Sequence, residues 1–125
     1  MIKLAKEREL LTVVNDQVGS PTFTQDLAEA LLNLISVEAR GYYHFTNQGG
    51  ISWFDFACGA IEEAYELGMI DKAHKVTVKP VTTKEFPRPA PRPAYSVLSL
   101  EKYQKATGKT PPEWREALKR YLKSL

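Results

Sequence analysis

The residues best suited to ligand chemistry are Asp16-Gln17-Val18-Gly19-Ser20-Pro21-Thr22. This turn crowds a carboxylate, an amide and two hydroxyls onto one short edge. Gly19 permits backbone angles that other residues avoid, and Pro21 stiffens the exit. The same residues also suit an ordinary β-to-α turn, with Asp16 and Thr22 capping backbone groups. Arg88 and Arg92 are the second candidates. They stand among Pro87, Pro89, Pro91 and Pro93. A guanidinium on a stiff segment presents a planar, bidentate fork to phosphate. A surface arginine, or an ion pair with a helix, is the plainer alternative.

Other chemistries find little support. No stretch reads G-x-G-x-x-G, so a dinucleotide fingerprint is absent. Gly108-Lys109-Thr110 resembles the end of a phosphate-binding loop, but Tyr103 stands where its first glycine belongs. It reads instead as a helix end followed by a helix start. His44 and His74 have no ligand-spaced partner, and His44 reads as a structural residue. Cys58, flanked by Phe56, Ala57, Ala60 and Ile61, reads as a small buried apolar residue; no histidine lies near it in sequence to activate it. Glu62 and Glu63 fall on the polar face of a helix. No tyrosine is followed by a lysine four residues later. The sequence therefore offers no catalytic, cofactor-binding or metal-binding residue.

The chain has 125 residues, enough for one domain, with 43% hydrophobic and 26% charged residues. A net charge of +2 is too small to argue for nucleic acid or an anionic membrane. No apolar run approaches the roughly 20 residues needed to span a bilayer. One cysteine cannot make an internal disulfide, which fits a reducing, cytoplasmic setting.

The positioning elements follow from periodicity. Residues 1–9 read as a short charged helix, and residues 10–14 as a strand leading into the turn. A helix capped by Thr22 or Thr24 runs to residue 36, with Leu27, Ala28, Leu31, Leu32 and Ile35 as a core-facing stripe. Residues 42–46, aromatic and β-branched, predict a strand, and Asn47-Gln48-Gly49-Gly50 a turn. Ser52 caps a helix ended by Gly68. Residues 76–81 predict a strand whose Pro80 keeps to an edge. The alternating prolines then exclude helix up to residue 93. Ser99 caps a short helix ending at Gly108. Thr110-Pro111-Pro112-Glu113 has the form of a capping box opening the last helix.

Four blocks in combination are more specific than any one of them. They are Val13-Val14-Asn15-Asp16-Gln17-Val18-Gly19-Ser20-Pro21-Thr22 with Asp26-Leu27-Ala28; Gly41-Tyr42-Tyr43-His44-Phe45-Thr46-Asn47 with Ser52-Trp53-Phe54-Asp55-Phe56-Ala57; Arg92-Pro93-Ala94-Tyr95-Ser96-Val97-Leu98; and Pro112-Glu113-Trp114-Arg115-Glu116-Ala117-Leu118. In this order they resemble the carboxyl-terminal half of dTDP-4-dehydrorhamnose reductases, a family of extended short-chain dehydrogenases. The resemblance implies an α/β piece, α+β if taken alone, with three short strands and about four main helices. It implies one substrate-binding domain over residues 1–125, a fragment of a larger NAD(P)-binding protein whose Rossmann half is absent.

In that family hydride passes from NAD(P)H to the 4-keto carbon of dTDP-4-dehydro-L-rhamnose, giving dTDP-L-rhamnose for cell-surface polysaccharide. The glycine motif and the Tyr-x-x-x-Lys pair lie in the other half, so this chain alone is expected to be inactive and to bind no cofactor. By the same resemblance Gln17, Gly19, Ser20, Pro21 and Thr22 border the sugar-nucleotide cleft, and Arg92 approaches the diphosphate. Trp53 and Tyr95 read as packing residues that could border the base. The implied partners are a dTDP-sugar and either the missing Rossmann half or a homodimer partner, with an apolar patch exposed where the Rossmann sheet belongs. A non-catalytic regulatory or interaction module of the same fold is the alternative.

Overall fold

The computed structural model describes residues 1–125. In chain order its elements are α1 (Ile2–Glu7), β1 (Leu10–Val14), β2 (Val18–Gly19), α2 (Thr24–Ser36), β3 (Ile51–Ser52), α3 (Trp53–Glu66), β4 (Thr77–Val81), α4 (Glu101–Thr107) and α5 (Trp114–Lys123). β1 and β4 pair in parallel, with Leu10 opposite Thr77 and Val14 opposite Val81. Parallel strands need a long connection, and here it carries α3, which packs against both of them. β2 and β3 form a second, antiparallel pair, with Val18 opposite Ser52.

Burial explains the arrangement. Ala5, Leu11, Ile61, Ala64 and Ile70 form one apolar cluster between α1, β1 and α3. Ala60, Leu118 and Leu122 form a second where α5 lies on α3. Ser52 starts α3 as expected: its Oγ accepts a hydrogen bond from the Asp55 amide at 3.0 Å. Gly108 ends α4 in the left-handed region at φ 68°.

Gly59 lets the two helices meet. A Cβ there would lie 2.9 Å from Cη2 of the Trp114 indole on α5. Alanine favours a helix by about 1 kcal/mol over glycine, but overpacking costs about 1–3 kcal/mol. Gly59→Ala is therefore expected to lower the urea midpoint, by a net of about 1 kcal/mol. A raised midpoint would show that the indole moves aside freely.

Several expectations need correction. Residues 42–46 form no strand, because no neighbouring segment offers them a backbone edge. Instead Phe45 packs edge-on against Tyr103 at 5.0 Å, and Lys102 Nζ sits 4.3 Å above the Tyr43 ring. The apolar stripe of α2 is not core. Leu27, Leu31, Leu32 and Ile35 are exposed, Ile35 by 71%, whereas Asp26 and Ala30 are buried. Periodicity identifies an apolar face but not what covers it.

Three helix starts also differ. The α2 N-cap is Phe23, with no side-chain cap from Thr22 or Thr24, and its amide donates to Asn47 Oδ1 at 2.7 Å. The N-caps of α4 and α5 are Leu100 and Glu113, neither with a side-chain cap bond of its own; Ser99 Oγ, one residue earlier, accepts the Glu101 amide at 3.4 Å, whereas Thr110 makes no capping bond. Cys58 is only half-buried. Burial pushes its thiol pKa up, and Asp55 and Glu62 push it further, which opposes a nucleophilic role.

Candidate functional site

β1 delivers the chain to Asp16, and two sets of bonds then fasten the turn to the proline-rich segment. The Asp16 carboxylate accepts the Thr83 amide at 3.0 and 2.9 Å and the Thr83 hydroxyl at 2.7 Å. The amide bonds from Thr83 are the first cause holding the Asp16 carboxyl below the usual range, with the hydroxyl second. Gln17 Nε2 donates to the same hydroxyl at 3.0 Å. Glu85 closes the corner by accepting from the Thr82 amide at 2.7 Å. At the far end, the Val18 amide donates to the Ala94 carbonyl at 2.8 Å, and the Ser96 amide donates to Val18 O at 2.9 Å. Tyr95 thereby bridges Val18 in parallel.

Residues 83–96 are thus a strap anchored at both ends to the 16–18 segment. Arg92 sits two residues before the Ala94 anchor and makes no hydrogen bond or ion pair within the chain. Arg88 stacks on Phe86, 4.6 Å from the ring centroid. Gly19 is needed for the close approach: a Cβ there would meet Ser96 Oγ at 3.1 Å.

The other end of the turn rests on a buried polar hub. Asn47, 1% exposed, donates through Nδ2 to Asp26 Oδ2 at 2.6 Å and to the Pro112 carbonyl at 3.2 Å. Its own amide donates to Pro21 O at 3.2 Å. Arg120 donates from both terminal nitrogens to the Asp26 oxygens, at 2.7 and 2.8 Å. The hub ties α2, residues 21–23, residues 47–48 and α5 into one rigid corner. Beside it lies a cavity of about 220 Å³, with Pro21, Thr22 and Asn47 along one wall and Phe56, Trp114 and Tyr121 among its apolar lining.

Gln17, Gly19, Ser20, Pro21 and Thr22 thus lie on one turn, and the strap that carries Arg92 is bonded to that turn two residues further on, at Ala94. Gln17 spends its side-chain amide on Thr83. Trp53 and Tyr95 are not buried: they are 54% and 70% exposed, with the Trp53 ring meeting Phe56 edge-on at 6.3 Å. The Trp53 amide donates to Gln17 O at 3.3 Å, which joins the start of α3 to the turn. His44 is exposed, and His74 Nε2 meets Ala5 O at 2.8 Å. The sequence reading missed Asp26, Asn47, Thr83 and Arg120. A carboxylate in the first turn of an apolar helix was the one available signal.

These features define a mixed α/β module, built from a strapped β-to-α turn braced by a buried ion pair. The chain belongs to the RmlD substrate-binding-domain family, whose model matches residues 1–125. It is 46% identical over 122 residues to the spore coat polysaccharide biosynthesis protein SpsK of Bacillus subtilis, covering 98% of this chain and 40% of that protein. It is 38% identical over 130 residues to the dTDP-4-dehydrorhamnose reductase of Escherichia coli K12, covering 100% of this chain and 43% of that protein. The structure of the Clostridium acetobutylicum dTDP-4-dehydrorhamnose reductase superposes with a TM-score of 0.85 at 44% identity, over 98% of this chain and 41% of that one. The Bacillus anthracis reductase, solved in complex with NADP, gives 0.85 at 37% identity, over 99% and 41%. The chain spans about two-fifths of the length of these relatives. No helix is long and apolar enough to cross a membrane.

Proposed function

We propose that residues 1–125 are one domain, the nucleotide-sugar-binding portion of a dTDP-4-dehydrorhamnose reductase. The observation that supports this reading is the strap that carries Arg92, which is bonded to the 16–22 turn two residues further on, from the Val18 amide to the Ala94 carbonyl. In this reading Arg92 forks onto the diphosphate of a dTDP-sugar. The hydroxyls of Ser20 and Thr22 and the backbone at Gly19 and Pro21 border the sugar. Gln17 holds the strap through Thr83. The exposed rings of Trp53 and Tyr95 are available to a base. In the whole enzyme a hydride reaches the 4-keto carbon and a proton its oxygen, giving dTDP-L-rhamnose. The single cysteine, Cys58, fits a reducing, cytoplasmic setting.

The residues present do not fit a dinucleotide. Gly19 is the only glycine of the turn, and Ser96 Oγ already occupies its open side. We assign NAD(P)H to the remainder of the reductase. The exposed face of α2 favours a second reading, a non-catalytic interaction module of the same fold.

A chimera separates the two readings, with this chain replacing the matched segment of the Clostridium acetobutylicum reductase. The expected result is NADPH oxidation with dTDP-4-dehydro-L-rhamnose. Arg92→Ala should raise KM about tenfold, the cost of one charge-assisted pair. A folded chimera that neither binds dTDP nor turns over would leave the interaction module.

A further inference from the structure

Asn47 grips the ligand turn on both sides of one residue. Its backbone amide donates to the Pro21 carbonyl at 3.2 Å, and its Oδ1 accepts the Phe23 amide at 2.7 Å. Peptide groups are planar, so these two bonds fix the two planes that meet at the Thr22 Cα. Pro21 locks its own φ, which removes a further freedom just upstream. Thr22 is β-branched and stiff at χ1, so a fixed backbone aims its hydroxyl. Thr22 is exposed, and its hydroxyl makes no hydrogen bond within the chain.

Asn47 is itself held. Its Nδ2 donates to Asp26 Oδ2 and to the Pro112 carbonyl, which leaves Oδ1 for Phe23. Arg120 in turn forks onto the two Asp26 oxygens. A local serine or threonine would satisfy a free amide at the start of α2 equally well. An asparagine 24 positions away adds what a local cap lacks, a tie from that amide to Pro21 and to the Asp26–Arg120 pair. At 1% exposure the Asn47 side chain is closed to a ligand, so its effect must pass through the residue it pins.

We infer that Asn47 is a positioning residue for the sugar end of the nucleotide-sugar site: it aims the Thr22 hydroxyl at the ligand, and Asp26 and Arg120 set its own orientation. This rests on the proposed reading and adds to it a group that never touches the ligand. The strap is bonded to Asp16, Gln17 and Val18 instead. The sugar and diphosphate ends therefore have separate supports. Loss of Asn47 should weaken the sugar contact and leave the affinity for dTDP intact.

The test is a double-mutant cycle in the chimera described above, read as KM for dTDP-4-dehydro-L-rhamnose and as the dissociation constant of dTDP. Thr22→Val should raise KM about fivefold, the worth of one neutral hydrogen bond, with kcat and dTDP binding unchanged. Asn47→Ala should do the same, and the double variant should be no worse than either single one. Independent effects would multiply to about 25-fold, which overturns the inference. So does an equal loss of dTDP affinity in Asn47→Ala, the mark of a merely structural role. A second measurement needs no variant at Asn47. In the unmodified chimera the Thr22 methyl and Phe23 amide resonances should shift with dTDP-L-rhamnose and not with dTDP; equal shifts with both, or none with either, overturn the inference. Turnover by the unmodified chimera together with a multiplicative cycle defeats this inference and spares the functional reading. A folded chimera that binds no dTDP-sugar defeats both.

Discussion

Asp26→Ala is expected to lower the unfolding free energy by about 2–3 kcal/mol. Breaking a buried ion pair costs about 3–5 kcal/mol when the orphaned charge stays dry. Asp26 is 5% exposed, but the Arg120 side chain is 37% exposed, so water recovers part of the loss. Asp26→Asn should cost a similar amount, because its amide donor faces donors on Arg120 and Asn47. The pH dependence has a definite sign. Burial pushes the Asp26 carboxyl up, but the bonds from Arg120 and Asn47 outweigh it, and the net pKa is lowered from 3.8. A carboxyl held lower in the folded state contributes fully above the unfolded pKa, and that contribution fades as pH falls through the folded one. Urea midpoints measured from pH 7 down to about pH 2 should therefore fall below about pH 4, and less steeply in Asp26→Asn. The residual slope belongs in part to Asp16 and Glu85, held low by bonds from Thr83 and Thr82. Parallel curves for variant and parent would remove Asp26 from the acid response.

The local chemistry of the site was legible because it is contiguous. Asp16 to Thr22 sit on one turn, and a strand before and a helix after can be read from periodicity alone. Arg92 could be named but not placed. The strap that carries it meets the turn through Val18 pairing with residues 94 and 96, a contact spanning more than 75 positions. Gln17 was named for its amide, yet that amide bonds to Thr83, 66 positions away. Asn47 looked like one more turn residue, because turn chemistry and a buried hub use the same side chain.

Two of the errors in the fold share one cause. The α2 stripe and the 42–46 segment both have strong intrinsic patterns, and both patterns are correct about which face is apolar or strand-forming. A pattern describes a surface and a preference; pairing requires a second surface. Where the chain supplies one, as β4 does for β1, the strand forms: residues 10–14 pair as expected, and Thr77–Val81 forms within the expected 76–81. Where it supplies none, the helix stays bare and the strand stays single.

Gly49→Ala should cost about 2–5 kcal/mol, for two separable reasons. Gly49 has φ 93°, a left-handed conformation that costs an alanine about 1–2 kcal/mol. A Cβ there would also lie 2.7 Å from Trp114 Cδ1 and 3.3 Å from Nε1, an overpacking worth about 1–3 kcal/mol. Neither side can retreat. Gln48 donates through its amide to Pro112 O at 2.9 Å and through Nε2 to Pro111 O at 2.6 Å. Its carbonyl accepts the Trp114 amide at 3.0 Å, so the turn and the start of α5 are laced together. Gly68 and Gly108 supply the control. Both have φ 68°, and a Cβ at either would meet nothing within 4 Å. Alanine there carries only the conformational cost, so Gly49→Ala should lose about twice the stability of Gly108→Ala in urea unfolding. Equal losses would mean the indole gives way, and the corner that holds Pro21 and Thr22 is softer than its hydrogen bonds imply. An unequal loss, accompanied by amide shifts at Thr22 and Phe23, would show that the strain reaches the turn through Asn47.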